Sequence, residues 1–432
     1  MKRNIAVVGL VLALLVIGLL GFPFRPVGQT TDSVEKLVLT VVSSLTPKVA
    51  WGTTTPDYVC DGTADEVQIQ AALGALPATG GTVQLSPGLF VVNKQLGQTY
   101  AIKVPSLYLA PSSDNLVFGP YGRYRDTNPI CLRGMGAGTI IKLADDQNCD
   151  VIQIGEDADG GLANESARVE NLYILGNAAH QSAGNYRGIY IYTDMNCGFI
   201  TDVKVVGCQG NGIESENNRY WRLANIGSDG NGRDGVRING GYQNSIVNSF
   251  FFSNGYNGVN LTSYNGTPSH RNVINEVHCI SNGVVAALHG IQINGNDNVV
   301  CASQCYDELA GAAKTQYYGI AVEASASRTV ITSNMLVGNK IGPIYNAGTG
   351  TIITGNGGYI NKGSGTATIL SGNASVIVTH GMVTTPTSIS FAGTQTEVKD
   401  CIASSVNATY FTITASANVT GDRGVYWMAE IQ

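Results

Sequence analysis

Charged side chains are scarce in this 432-residue chain, and neither sign prevails. They make up 13% of it, with 25 Lys and Arg against 31 Asp and Glu, for a formal net charge of −6. A general nucleic-acid-binding surface needs an excess of positive charge, so that class is excluded. Hydrophobic residues reach 44%, which excludes wholesale disorder. Among nine cysteines there is no Cys-x-x-Cys pair and no His at zinc spacing. No zinc or other metal site is therefore expected. The count is odd, so not all can pair within the chain. Cys301 and Cys305 are close enough in sequence to form a disulfide in an exported protein, while most of the others read as small core fillers. No repeat has a helix-length apolar pattern, and none has the leucine spacing of a leucine-rich repeat.

What the chain does have is glycine, 54 of it, in a recurring phrase. Gly followed by alternating apolar residues appears as Gly188-Ile-Tyr-Ile191, Gly212-Ile-Glu-Ser215, Gly235-Val-Arg-Ile238, Gly258-Val-Asn-Leu261, Gly290-Ile-Gln-Ile293 and Gly319-Ile-Ala-Val322, with a weaker copy at Gly342-Pro-Ile-Tyr345. The period is near 23 residues, with two longer steps from Gly258 to Gly290 and from Gly290 to Gly319. Period-two alternation within each phrase makes it a short strand with one buried face. Between phrases lie further short apolar runs bounded by Asn, Gly, Ser and Asp, the residues that accept tight turns and positive φ. Two or three short strands per coil fit an all-β, right-handed parallel β-helix solenoid. Asn177, Asn231, Asn254, Asn282 and Asn339 fall near the turns, where side-chain ladders would satisfy turn backbone.

Met1-Lys-Arg3 precedes an unbroken apolar stretch from Ile5 to Phe22. Positive charge ahead of it predicts export of the remainder of the chain, so residues 1–22 are a signal peptide or a membrane-retained signal anchor. Either places the protein outside the cytoplasm or on the cell surface, with the membrane a partner if the segment is retained. Residues 23–55 read as a linker or stalk with one strand-like run, Leu37 to Val42. A helix comes next: Thr63 can cap it, Asp65 and Glu66 suit its positive end, and Val67, Ile69, Ala72, Leu73 and Leu76 form its apolar side. Gly80-Gly-Thr-Val83 and Pro87-Gly88 then mark a strand, a turn and a second strand. This helix would cap one end of a solenoid spanning 56–360. Residues 366–432 alternate over short strands and suggest a small antiparallel β-sandwich.

The opening from Asp61-Gly62 through Asp65, Ile69-Gln-Ala-Ala72, Gly80-Gly-Thr-Val83 and Pro87-Gly88, continued by Leu132-Arg-Gly-Met-Gly-Ala-Gly-Thr-Ile-Ile-Lys-Leu143, resembles the pectate-lyase-like β-helix superfamily. That superfamily includes rhamnogalacturonase/epimerase-like proteins and many phage tailspikes. The resemblance implies a polysaccharide partner, no required cofactor, room for Ca²⁺ in a lyase, and compatibility with a homotrimer. The C-terminal pattern of His380-Gly, Thr385-Pro-Thr387 and Val425-Tyr-Trp427 is similar to binding or assembly modules on such proteins.

Aligning the phrases turns the sequence into a surface. One outward column carries Tyr190, Glu214, Arg237, Asn260, Gln292 and Ala321, and the next carries Tyr192, Glu216, Asn239, Thr262, Asn294 and Glu323. A third, just before each glycine, carries Arg187, Asn211, Asp234, Asn257, His289 and Tyr318. Aromatics and amides in such a strip suit stacking on sugar rings and hydrogen bonds to hydroxyls. Candidate catalytic residues are Glu214 or Glu216 with Asp234 as an acid/base pair, and Arg237 to hold an anionic sugar. The competing reading makes Glu214 and Arg237 a solvated cross-coil ion pair. Candidate substrate-binding residues are Tyr190, Tyr192, Arg219, Trp221, Asn239, Asn260, Gln292 and Asn294, with Trp221 either a sugar platform or a buried shield for the coil.

Asp234-Gly235-Val236 resembles the Asp-Gly-Ile step of polygalacturonases, but their paired aspartates and Arg-Ile-Lys are missing. The Asp-Pro-His-Glu signature of alginate epimerases is missing too, and His289 reads as a turn histidine. The expectation is an exported or surface β-helix that engages polysaccharide. Its alternatives are a polysaccharide hydrolase or lyase, and a tailspike-like or purely structural fibre.

Overall fold

The computed structural model describes residues 38–44, 55–77, 80–105, 116–119, 122–125, 130–155, 164–165, 167–192, 195–393 and 395–431. The apolar segment Ile5–Phe22 lies outside them; among the described residues, no helix is long and apolar enough to cross a membrane.

Strands stack coil upon coil into two extended parallel sheets of 16 and nine strands. The nine-stranded sheet is built from Tyr100–Val104, Asp150–Ile154 and the repeated phrases, from Ile189–Ile191 to Gly342–Asn346. Its register is the one the phrases imply: Tyr190 pairs with Glu214, Glu214 with Arg237, Arg237 with Asn260, Asn260 with Gln292, and Gln292 with Ala321. Two coils upstream, Asp150-Val-Ile-Gln-Ile154 and Tyr100-Ala-Ile-Lys-Val104, extend the sheet without the glycine that marks the others.

The repeated glycine is a matter of close approach. A β-carbon on Gly212 would stand 2.6 Å from the Gly235 carbonyl oxygen, and one on Gly235 would stand 2.6 Å from that of Gly258. The same contact recurs at 2.8 Å from Gly258 to Gly290 and 2.7 Å from Gly290 to Gly319. Any side chain there would wedge adjacent coils apart.

In the 16-stranded sheet the longer strands bend at a left-handed residue, which any side chain larger than glycine tolerates only with help. The bends align in register as Asn171, Asp202, Asn225, Asn248, Glu276, Ala302 and Ser333. Asn248 donates to Asn225 at 2.7 Å and Asn225 to Asp202 at 2.8 Å, so the column supports its own conformation.

Inside the solenoid, isoleucine, valine and leucine fill one continuous core. The expected ladder is there: Asn231 donates to Asn254 at 3.0 Å, Asn254 to Asn282 at 2.9 Å, Asn282 to Gln316 at 3.1 Å and Gln316 to Asn339 at 2.8 Å. Asn177 is not a rung; it caps the Leu143 carbonyl and Asp145 instead.

Several expectations are corrected. Val38–Val42, inside the presumed stalk, pairs in parallel with Gly81–Leu85 as part of the large sheet. The helix runs Glu66–Gly74 with Asp65, not Thr63, at its cap position. Asp65 instead accepts from the Gly62 and Val91 amides at 2.8 Å each, and Val67 points to solvent. Cys301 and Cys305 are not joined: Cys305 lies in the core opposite Cys279, while Cys301 faces outward to Asn275.

At the C-terminus the chain forms two three-stranded antiparallel sheets, one of Lys362–Ile369, Arg423–Glu430 and Ser388–Gly393 and one of Ser375–Thr379, Tyr410–Thr414 and Ile402–Ser404. They share a core of Ile369, Val378, Val398, Phe411, Ile413, Val425 and Trp427.

Candidate functional site

The outer face of the nine-stranded sheet collects most of the candidate residues. At its centre lies a charged network. Arg187 grips Asp150 with two guanidinium bonds of 3.0 and 2.8 Å and a third from its own amide at 2.7 Å. The same guanidinium reaches Glu214 at 3.4 Å and lies 3.6 Å from the centre of the Tyr190 ring. Glu214 also accepts from Asn211 at 2.8 Å, Asn185 at 3.2 Å and Asn239 at 3.3 Å.

Glu214, expected to stand in solvent, is only 3% exposed. Its carboxylate is the hub of four donors, which offset the cost of burying it. The ion pair it makes is with Arg187, not with Arg237. That replaces the solvated Glu214–Arg237 pair of the competing reading.

Burial pushes the Asp150 carboxyl up, although Arg187 opposes it. Burial alone would lower Arg187; the charge of Asp150 and its hydrogen bonds raise it instead. Tyr190 is raised by burial and by donating to Glu216 at 2.6 Å. Glu216 is partly exposed, which makes it the carboxylate of this network that solvent reaches.

Asp234 occupies a different niche. It is 1% exposed and belongs to a ladder along the column before the glycines. Its amide donates to Asn211 at 2.9 Å, its carboxylate accepts from the Asn257 amide and side chain at 2.9 Å each and from Asn260 at 3.0 Å, and Asn257 accepts from the His289 amide at 3.0 Å. Burial raises its carboxyl, opposed by Asn260 and Asn257. The Asp-Gly step is thus a rung: the aspartate holds the next coil's backbone, and the glycine admits its carbonyl.

Of the other candidates, Gln292 accepts from Asn257 at 3.0 Å and donates to Glu323 at 3.1 Å. Asn294 contacts Ser325. Arg219 leaves the strand face and lies 5.0 Å above the Tyr242 ring, which stacks in turn on His270 at 5.0 Å. Tyr192 packs edge-on to Tyr190 at 5.7 Å. Trp221 is corrected outright: at 1% exposure it is in the core beneath Gly198, a shield and not a platform.

Buried polar atoms are seldom left without partners, and each exception asks for an explanation. On this face Asn185 Oδ1, Arg237 Nε, Asn239 Oδ1 and His289 Nδ1 are buried without a hydrogen-bond partner. Burial also lowers His289 to about 4, so its imidazole is neutral near pH 7. Sequence reasoning missed Asp150 and Asn185 as members of this network. The signal for Asp150 was its alternating strand, hidden by the absent glycine.

No family model matches the chain, and no curated protein is found as a relative. Solved structures do match. ORF18 of Geobacillus virus E2 superposes with a TM-score of 0.56 at 16% identity, covering 84% of this chain and 76% of its own. The tailspike protein gp49 of the Acinetobacter baumannii bacteriophage Fri1, a capsular polysaccharide depolymerase, has a TM-score of 0.45 at 11% identity, covering 92% and 86%. Pectate lyase Pel9A has a TM-score of 0.41 at 13% identity, covering 75% and 79%. The fold is a parallel β-helix. At these identities the likeness speaks to fold alone, and the chemistry of this β-helix rests on its own residues. Among the described residues, no group of three or more His, Cys, Asp or Glu is placed to hold a metal ion.

Proposed function

We propose that this β-helix is an extracellular or cell-surface protein that binds polysaccharide along the outer face of its nine-stranded sheet. One observation carries the reading: Glu216, Arg237, Asn260, Gln292 and Asn294 are all partly exposed along that single face. Glycan hydroxyls, which both donate and accept, complement such side chains, and coils about 4.8 Å apart repeat the offer along the solenoid. Arg237 would take an anionic substituent of the sugar. The helix at Glu66–Gly74 acts as an end cap, and the C-terminal sheets as a sandwich for binding or assembly, with a homotrimer the assembly in view.

A catalytic reading is favoured by one contact, the 2.6 Å bond from Tyr190 to Glu216, which pairs a hydroxyl with the accessible carboxylate. In that reading Glu216 acts as acid or base, while Glu214 and Asp234 serve as buried scaffold. The test incubates the full chain with a panel of neutral and acidic polysaccharides, with and without Ca²⁺. New reducing ends and ultraviolet absorbance from unsaturated ends are both monitored. Reducing ends alone indicate a hydrolase, unsaturated ends a lyase, and retention without turnover a binding protein. No retention on any glycan leaves a structural fibre and removes the proposal.

A further inference from the structure

The face that carries the charged network changes character along the solenoid. Past Asn260, among the described residues of its outward columns, it holds one carboxylate, Glu323, and a row of rings. The His289 ring lies 5.6 Å from that of Tyr318, and Tyr318 lies 5.6 Å from Tyr345. The rings are tilted by 46° and 39° to one another, so they form a staircase along the solenoid axis.

Three features make this row a platform rather than core packing. Tyr345 is 41% exposed, and Tyr318 and His289 are partly exposed. Tyr318 lies beside Gly342, whose missing side chain leaves its ring edge uncovered there. The column that supplies Glu214 and Arg237 carries no charge here, only Gln292, Ala321 and then Tyr345. Polar groups line the same stretch, since the partly exposed Gln292 and Glu323 are bonded together nearby.

We infer that His289, Tyr318 and Tyr345 form a separate sugar-stacking subsite that takes the apolar face of neutral pyranose rings and lays the polymer along the solenoid axis. The inference rests on the polysaccharide-binding proposal and adds its substrate class: a glycan with uncharged rings next to the part held at the charged end. A pyranose ring is about one coil spacing long, so successive rings can meet successive aromatic steps. Flat C–H surface on an aromatic face supplies the attraction.

The test is affinity electrophoresis of the full chain in native gels containing xyloglucan, galactomannan, dextran, polygalacturonate or alginate. Wild type is compared with Tyr318→Ala/Tyr345→Ala, with Tyr345→Phe, and with Arg237→Met at the charged end. Thermal melts monitored by circular dichroism confirm that each variant is folded. The expected result is retardation of wild type by at least one of the neutral polymers, xyloglucan, galactomannan or dextran, with about tenfold or greater weakening in the double variant; retardation by the polyuronates alone overturns the neutral subsite. Tyr345→Phe should stay within about twofold of wild type. Retardation of wild type that the double variant retains in full overturns the subsite and leaves the polysaccharide reading standing. So does equal weakening by Tyr345→Phe, since the ring is still there. Retardation by none of the polymers overturns the polysaccharide reading and the subsite with it.

Discussion

Replacing Arg187 with Met should strongly destabilise the solenoid. The side chain is largely enclosed between two buried carboxylates, Asp150 at 2.8 Å and Glu214 at 3.4 Å, and covers the Tyr190 ring. Met keeps the apolar stem and removes the charge, which leaves Asp150 deeply buried with no cation. Removing one partner of a buried pair costs about 3–5 kcal/mol near neutral pH.

The pH dependence comes from the direction of the Asp150 shift. Burial already raises this carboxyl above its ordinary value, and loss of Arg187 raises it further. A carboxyl with a raised folded-state pKa binds more protons folded than unfolded. Stability is therefore greatest at low pH and lost as pH rises through the folded value. The deficit of Arg187→Met should be full near pH 7 and shrink by up to about 1.4 kcal/mol per pH unit on acidification, within the range where only the folded state is protonated. Asp150→Asn in the same chain should recover part of the deficit at pH 7 and flatten its pH dependence. Urea unfolding monitored by far-ultraviolet circular dichroism, with the refolding limb superimposed, reads both effects. A loss under about 1 kcal/mol with no pH dependence would refute the claim that Arg187 offsets buried charge.

Other contacts give further expected outcomes. Gly235→Ala should cost about 1–3 kcal/mol by the same urea assay, because the new methyl meets the Gly258 carbonyl oxygen at 2.6 Å. Its exposed neighbour Gly230→Ala meets no such obstacle and tests only its φ of 58°. Asn254→Ala should cost about 2–4 kcal/mol, since it strips rungs from the Asn231 side chain and amide, Asn282 and the Ser228 carbonyl at once. His289, lowered to about 4 in the fold, is neutral there while the unfolded chain protonates it, so stability falls as pH drops from about 6.5 towards 4. Relative to His289→Gln, wild type should lose about 2 kcal/mol between about pH 7 and about pH 4.5, and equal losses in both would show that the imidazole is not the cause.

Much of this was legible in the amino-acid order, because a solenoid repeats one local solution. The glycine phrase, its period and the alternation within it were enough to align seven coils and to place Glu214 beside Arg237 in the register that the strands adopt. The internal asparagine rungs were legible for the same reason, each turn needing the same polar support. What the order of residues did not reveal was depth. Glu214 and Asp234 occupy outward positions of the pattern, yet neighbouring coils bury them, because Arg187, Asn185, Asn211 and Asn257 close over the strand face. Side-chain reach across coils is set by three-dimensional spacing, which alternation along one strand does not encode. The same holds for Trp221, whose place beneath Gly198 depends on which way a turn folds, and for the row of His289, Tyr318 and Tyr345, residues from different columns that only the stacked coils bring together. Local pattern determined the coil; contact between coils decided which of its polar residues became scaffold and which became surface.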